Sequence, residues 1–124
     1  MNVQIQIEHW KNGSVEAIET ADLLLTGGRY IHCLFFCHLS VEKALKAELV
    51  RFTEDFAPKT HNLLKLAELA GFELTEELRK DLTTLTNFCM EGRYSQSVEF
   101  NPDEEITSYW FNRTKELLIW CEKK

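Results

Sequence analysis

Apolar residues recur every three or four positions over most of this chain of 124 residues. From Ile7 to Leu25 this spacing places them on one stripe of an amphipathic helix. Apolar and polar residues alternate, as in a strand, only over the short segment from Asn2 to Ile7. We interpret that segment as a frayed leader into the first helix, with an edge strand as the alternative. The pattern as a whole predicts an all-helical protein.

Glycine and proline divide the helical pattern into about five segments. The first helix is predicted to end at the glycine pair Gly27-Gly28, where the chain can turn tightly. The second and longest runs from about Arg29 to Phe52, and the segment Thr53 to Lys59, which contains Pro58, is predicted to be a loop. Thr60 is a candidate cap for a short third helix from His61 to about Ala70.

The last two helices carry their own start signals. Thr75 can cap a fourth helix that runs to about Glu91, with Gly92 expected to break it. The fifth begins with Asn101 as its predicted cap, Pro102 at the first helical position, and Asp103 and Glu104 in the first turn. Short turns join neighbouring helices in antiparallel pairs. The expected fold is therefore an up-and-down four-helix bundle with an additional short helix, forming a single domain over residues 1–124.

Charge limits the partners that the chain attracts from a distance. Twenty acidic and 14 basic residues give a formal net charge of −6 at pH 7, which disfavours non-specific nucleic-acid binding. A local basic spot can still bind one phosphate or a looped RNA end at contact distance. No stretch approaches the roughly 20 apolar residues of a membrane span, and no basic segment with an apolar run opens the chain. We expect a cytoplasmic protein that does not enter membranes.

The four cysteines lie in apolar helical segments without the spacing of a disulfide framework. Cys33 and Cys37 are one helical turn apart and have His32 and His38 beside them, which raises a metal hypothesis. However, His32 and Cys33 point about 100° apart on a helix, and free cysteine is usually a buried apolar residue. Reduced core cysteines are the favoured interpretation, and we expect no metal and no cofactor.

Three motifs in order resemble one known family. Residues 38–47 read His-Leu-Ser-Val-Glu-Lys-Ala-Leu-Lys-Ala, which is similar to a Gln-Gln-Ala-x-Glu-Lys-Ala-Leu-Lys-Ala stretch of HEPN domains. Residues 58–63, Pro-Lys-Thr-His-Asn-Leu, resemble the start of that family's third helix. Residues 91–94, Glu-Gly-Arg-Tyr, resemble the Ala-Arg-Tyr-Pro element after its fourth. With the helix pattern, these motifs span nearly the whole chain.

The resemblance implies a four-helix bundle with an extra helix, frequent homodimers, and association with minimal nucleotidyltransferase proteins in prokaryotic toxin–antitoxin or stress-response pairs. Some branches of the family are metal-independent endoribonucleases that use an arginine and a histidine four to six residues later. Here Arg93 is followed by no histidine in that window. The missing histidine argues against ribonuclease activity, so we lean away from an enzyme.

The same resemblance selects the candidate ligand-binding residues. Arg93 and Tyr94 can clamp a phosphate and stack a base, although a helix-end charge and a core tyrosine are the structural alternative. Glu42 and Lys43 match the family's Glu-Lys pair. Because adjacent helical residues do not face each other, we expect Glu42 to pair with Lys46 at the surface, or either Glu42 or Lys43 to reach Arg93. His61 either fixes the start of the third helix or acts on a ligand.

Three hypotheses of function remain at this stage. The first is a binding module for a nucleotide or for a partner nucleotidyltransferase. The second is a metal-independent endoribonuclease with Arg93 as the phosphate-contacting cation and His61 or His38 in place of the missing histidine. The third is a dimeric scaffold that binds no small ligand. With three tryptophans and eight phenylalanines, some aromatic residues are expected to line a homodimer interface.

Overall fold

The structure, a computed structural model, describes residues 1–93 and 100–124, and its side chains are described for residues 1–89 and 100–124. Within these ranges every regular element is a helix. The five helices are α1 (Val3–Thr26), α2 (Tyr30–Thr53), α3 (Leu63–Leu69), α4 (Glu76–Arg93) and α5 (Glu104–Glu122). The four long helices form an up-and-down bundle and α3 is the additional short helix, so the predicted fold class is confirmed.

Helices α1 and α2 form an antiparallel hairpin. The predicted turn at Gly27-Gly28 is confirmed: Gly28 has a φ of 73°, and the N–H of Arg29 donates to Leu24 O at 2.8 Å. A left-handed residue of this kind closes a helix, and glycine adopts it without a steric penalty. The start of α1 differs from the prediction, because Asn2 caps a helix that already begins at Val3. The segment that was predicted to be a frayed leader is helical, since the side chain of Asn2 accepts the N–H of Ile5 at 3.1 Å.

The connection between α2 and α3 is a loop of residues 54–62 that folds back along α2. It begins at Glu54, which has a φ of 57°, and Ala57 packs against the apolar residues that join the start of α1 to the end of α2. The predicted cap of α3 is wrong. Asn62, not Thr60, is the N-cap, and its side chain accepts from Lys65 N at 3.1 Å. Thr60 accepts the N–H of Asn62 instead, one step earlier.

Helices α4 and α5 are antiparallel neighbours. Thr75 caps α4 as predicted, with its hydroxyl accepting from Leu78 N at 3.1 Å. Gly92 does not break this helix, because α4 continues to Arg93; a glycine in the last turn costs only about 1 kcal/mol. At the start of α5 the cap is Asp103, which accepts from Ile106 N at 2.8 Å, rather than the predicted Asn101. Aspartate and asparagine are equally good caps, so residue type alone could not decide between them.

One ion-pair network ties α5 to α4 near the surface. Arg113 Nε lies 2.6 Å from Asp81 Oδ2, and both side chains are largely buried. Burial lowers the pKa of Arg113, but the hydrogen bond and charge of Asp81 outweigh it, so the pKa lies above its ordinary value. At the far end of α5, Lys124 Nζ lies 4.3 Å from the ring centre of Phe52, so α5 and α2 end at the same end of the bundle.

The main core lies between α2, α4 and α5 and includes leucines from every helix except α1 among its fully buried residues. All four cysteines are buried, and none of them is in a disulfide bond. Cys33 and Cys37 hydrogen-bond to each other, which lowers the pKa of Cys33, whereas that bond and burial raise the pKa of Cys37. Among the described residues, no helix has the length and apolar character that crossing a membrane requires.

Candidate functional site

One face of α2 carries three polar side chains into the interior. His38, Glu42 and Lys46 follow each other at intervals of four residues, so they form one row along the helix. Their side chains are only 1%, 4% and 7% exposed. Charged side chains are rarely buried unless they are paired, so this row indicates a specific polar cluster.

Glu42 is the centre of the cluster. Its Oε2 accepts from Lys46 Nζ at 3.0 Å, and its Oε1 accepts from His61 Nδ1 at 2.8 Å. His38 Nε2 lies 3.6 Å from the same Oε1. The predicted pair of Glu42 and Lys46 therefore exists, but the prediction that it lies at the surface is wrong. It is buried because α1 covers it: the ring of Trp10 lies 5.1 Å from Lys46 Nζ.

His61 is held by contacts on its backbone and on its ring. His38 Nε2 donates to the carbonyl oxygen of His61 at 2.9 Å, and Leu63 N, two residues on, donates to Thr86 Oγ1 of α4 at 3.1 Å. A carboxylate oxygen beside a lysine only accepts, so Nδ1 of His61 carries the proton of its bond to Glu42. This orientation turns Nε2 away from Glu42, and the side chain is 51% exposed.

The arrangement is a buried carboxylate that orients a half-exposed imidazole. Such a pair fixes the orientation and the tautomer of the ring, which suits an imidazole that contacts a phosphate or transfers a proton. The single charges of Glu42 and Lys46 compensate each other. The Glu42 carboxylate is therefore compensated by Lys46 when an anion approaches the His61 ring.

The structure brings together two of the five predicted site residues, Glu42 and His61. The Lys43 side chain does not join the cluster but lies against Gly13 of α1. A Cβ added to Gly13 would be 2.8 Å from Lys43 Cδ, so the lysine side chain crosses α1 at this glycine. Arg93 is the last residue of α4, but its side chain and the whole of Tyr94 lie outside the described residues. Their predicted contacts to a ligand, and that of Arg93 to Glu42, stay predictions.

Sequence reasoning missed the link between Glu42 and His61. His38 is an interior residue that is hydrogen-bonded to the loop, and the row of His38, Glu42 and Lys46 is visible in the sequence as a spacing of four. What the spacing could not show is that the loop of residues 54–62 returns to the middle of α2. A polar row on an otherwise apolar helix face is the signal that points to such a partner.

The fold and this cluster define an all-helical bundle in which a buried acidic residue of the second helix holds a histidine of the following loop. The family model for the HEPN domain matches residues 7–124, and the chain belongs to the HEPN domain family. No curated protein shows a significant match to the chain. The crystal structure of TT1696 from Thermus thermophilus is similar in fold, with a TM-score of 0.80 and 19% sequence identity over 99% of this chain and 98% of that one.

Proposed function

We propose that this HEPN domain is a binding module that holds the phosphate of a nucleotide against the exposed face of His61. The observation that carries the proposal is the fixed position of that ring: Nδ1 is bonded to Glu42 at 2.8 Å, while 51% of the side chain remains open to solvent. A donor that is already oriented loses little entropy on binding, which is the general advantage of a preorganised site.

Phosphate recognition also needs positive charge close to the histidine. Lys59 lies two residues before His61 in the same loop and is exposed. Arg93, the last residue of α4, is the candidate for a bidentate phosphate contact, and Tyr94 for stacking on a base. Under this proposal Glu42 does not touch the ligand; it orients the His61 ring through the bond at 2.8 Å.

The nucleotide can arrive free or bound to a partner protein. The resemblance to the HEPN family led us to expect a minimal nucleotidyltransferase as partner, in a prokaryotic toxin–antitoxin or stress-response pair, and a homodimer of this chain. These remain proposals. A free nucleotide and a nucleotide held by a nucleotidyltransferase would both present a phosphate at the His61 face, so a binding experiment with purified nucleotides tests this shared step first.

The test is a thermal-shift screen of the purified chain with nucleoside mono-, di- and triphosphates and short RNAs, followed by titration calorimetry of each hit. A ligand at 100 times its dissociation constant adds about 2.7 kcal/mol of stability, which is a readable shift. We expect His61→Gln to abolish that shift. His32→Gln is the matched control, because His32 is exposed on α2 and has no part in the cluster. Binding that survives His61→Gln, or its absence in the native chain, would contradict the proposal.

A second candidate function is metal-independent endoribonuclease activity, and the Glu42–His61 pair is the observation that favours it. An imidazole oriented by a carboxylate is suited to take the proton of a ribose 2′-hydroxyl as that oxygen attacks the neighbouring phosphorus. The bond from phosphorus to the 5′-oxygen then breaks, and water protonates the departing oxygen. Arg93 would then stabilise the charge that develops on the phosphate oxygens. Cleavage of RNA in the presence of EDTA, lost in His61→Gln and retained in His32→Gln, would establish this activity. If the native chain shows neither binding nor cleavage, the scaffold hypothesis is the one that remains.

A further inference from the structure

A groove runs between α1 and α5 on the side of α2 that faces away from the Glu42 cluster. Ala44 and Glu48 of α2 form its floor, and they lie about 200° and 240° around the helix from Glu42. Val15 and Ile18 form the α1 wall, and Leu118 and Cys121 form the α5 wall. These six residues define the α1–α5 groove, and the cavity that they line has a volume of about 200 Å³.

The groove extends beyond this cavity along both helices. A second cavity of about 220 Å³ also contains Ile18 and is lined by Glu19, Asp22, Phe111 and Lys115. Along α1 the two cavities together reach from Lys11 to Asp22, a distance of about 16 Å at 1.5 Å per residue. Each cavity is smaller than the roughly 300–1,000 Å³ of a typical small-molecule site. Two shallow, adjoining cavities over this length match the spacing of the apolar anchor side chains that a bound helix of a partner presents on one face.

The walls combine exposed apolar groups with an excess of acidic charge. Val15 is 54% exposed although it lines an apolar cavity. The carboxylates along the groove come from Glu19, Asp22, Glu48 and Glu122, and the ammonium groups from Lys11 and Lys115. Arg51 pairs with Glu48 at 3.0 Å, and the remaining carboxylates still outnumber the two lysines. A partner that is apolar on one face and basic at its edges is therefore complementary to this surface.

We propose that the α1–α5 groove binds a basic amphipathic helix of about three turns from a partner protein. The apolar face of that helix occupies the two cavities, and its lysine or arginine side chains pair with the carboxylates at the rim. Another copy of this chain is a poor occupant, because its net charge of −6 opposes its approach to an acidic groove. The groove lies on the opposite face of α2 from His61, so this interaction does not depend on the nucleotide proposal.

The experiment uses a fluorescent synthetic helix of about 14 residues, built from leucine on one face and lysine on the other. Its matched control replaces each lysine by glutamate and keeps the leucine face. Fluorescence anisotropy with the purified chain is expected to show saturable binding of the lysine peptide, weakened by salt, and binding of the glutamate peptide at least about tenfold weaker. No saturable binding of the lysine peptide, or equal binding of both, would overturn the proposal.

Variants of the chain locate the binding surface. Val15→Lys and Glu19→Lys are expected to weaken binding at least about tenfold, since each adds a positive charge inside the groove. Glu16→Lys makes the same charge change on an exposed residue of α1 that does not line the groove, and it should bind almost normally. His61→Gln should leave peptide binding unchanged. Equal effects of Glu16→Lys and Glu19→Lys, or self-association of the chain that Val15→Lys abolishes, would contradict the assignment.

Discussion

Neutralising Glu42 provides the sharpest test of the buried cluster. Glu42→Gln keeps the size of the side chain and an oxygen that can accept from His61 Nδ1, but it removes the anion 3.0 Å from Lys46 Nζ. Lys46 is then a charged group, 7% exposed, without its counter-ion. Breaking a buried pair by removing one partner costs about 3–5 kcal/mol. We expect a loss near 3 kcal/mol, because the Trp10 ring at 5.1 Å still stabilises the ammonium group.

The double variant separates the unpaired charge from other effects. Lys46→Met removes the ammonium group and keeps an apolar chain of similar length in the interior. Replacing both partners of a buried ion pair by uncharged residues is often neutral or stabilising. Glu42→Gln with Lys46→Met should therefore recover to within about 1 kcal/mol of the native free energy of unfolding.

Urea denaturation followed by circular dichroism measures these differences. Glu68→Gln is the control, because Glu68 is exposed and its distance of 3.8 Å from Arg79 describes a weak surface pair. It should change the free energy of unfolding by less than about 0.5 kcal/mol. The reasoning is refuted if Glu42→Gln is equally mild, or if the double variant is as unstable as Glu42→Gln alone.

Three further predictions concern the scaffold. Gly71→Ala should lower the free energy of unfolding by about 1–3 kcal/mol in a urea titration, because Gly71 has a φ of 81° and a Cβ there would lie 2.9 Å from Phe52 Cζ. Gly28 has a φ of 73°, but no atom lies within 4 Å of a Cβ added there, so Gly28→Ala should cost only about 1 kcal/mol. A loss for Gly28→Ala equal to that for Gly71→Ala would contradict the steric argument. Arg113→Met should cost about 1–3 kcal/mol by leaving Asp81 without its partner at 2.6 Å; a change below about 0.5 kcal/mol, the size of an ordinary surface substitution, would contradict this. The four buried cysteines should resist alkylation at pH 8 until urea unfolds the chain, and rapid labelling of the native protein would show that the core is open.

The helices could be predicted from the sequence because their signals are local. Apolar spacing, the glycine pair at Gly27-Gly28 and the hydroxyl of Thr75 each act within a few residues, and the structure places helix boundaries close to them. The errors fall where several good caps compete. Asn62 displaced Thr60 and Asp103 displaced Asn101, and in both cases either residue type satisfies the first-turn N–H groups.

The candidate site was only partly predictable because it depends on a long-range approach. Glu42 and His61 were both predicted as site residues, but no local pattern in the sequence indicates the path of the loop that brings His61 to Glu42. The burial of Lys46 has the same origin, since it depends on Trp10 of α1 packing over the Lys46 side chain. Residue spacing determines which side chains share a helix face, whereas the packing of other elements determines whether that face is buried.

The central claim is that Glu42 orients His61 so that its ring binds a phosphate. The most direct test is a long-range ¹H–¹⁵N correlation spectrum of the histidine rings at neutral pH, with His61→Gln assigning the His61 signals, recorded before and after addition of the nucleotide that gives the largest thermal shift. We expect a proton on Nδ1 of His61, as its bond of 2.8 Å to Glu42 requires, and a shift of the Nε2 signal on binding. An unprotonated Nδ1, or ring signals that no nucleotide changes, would contradict the account.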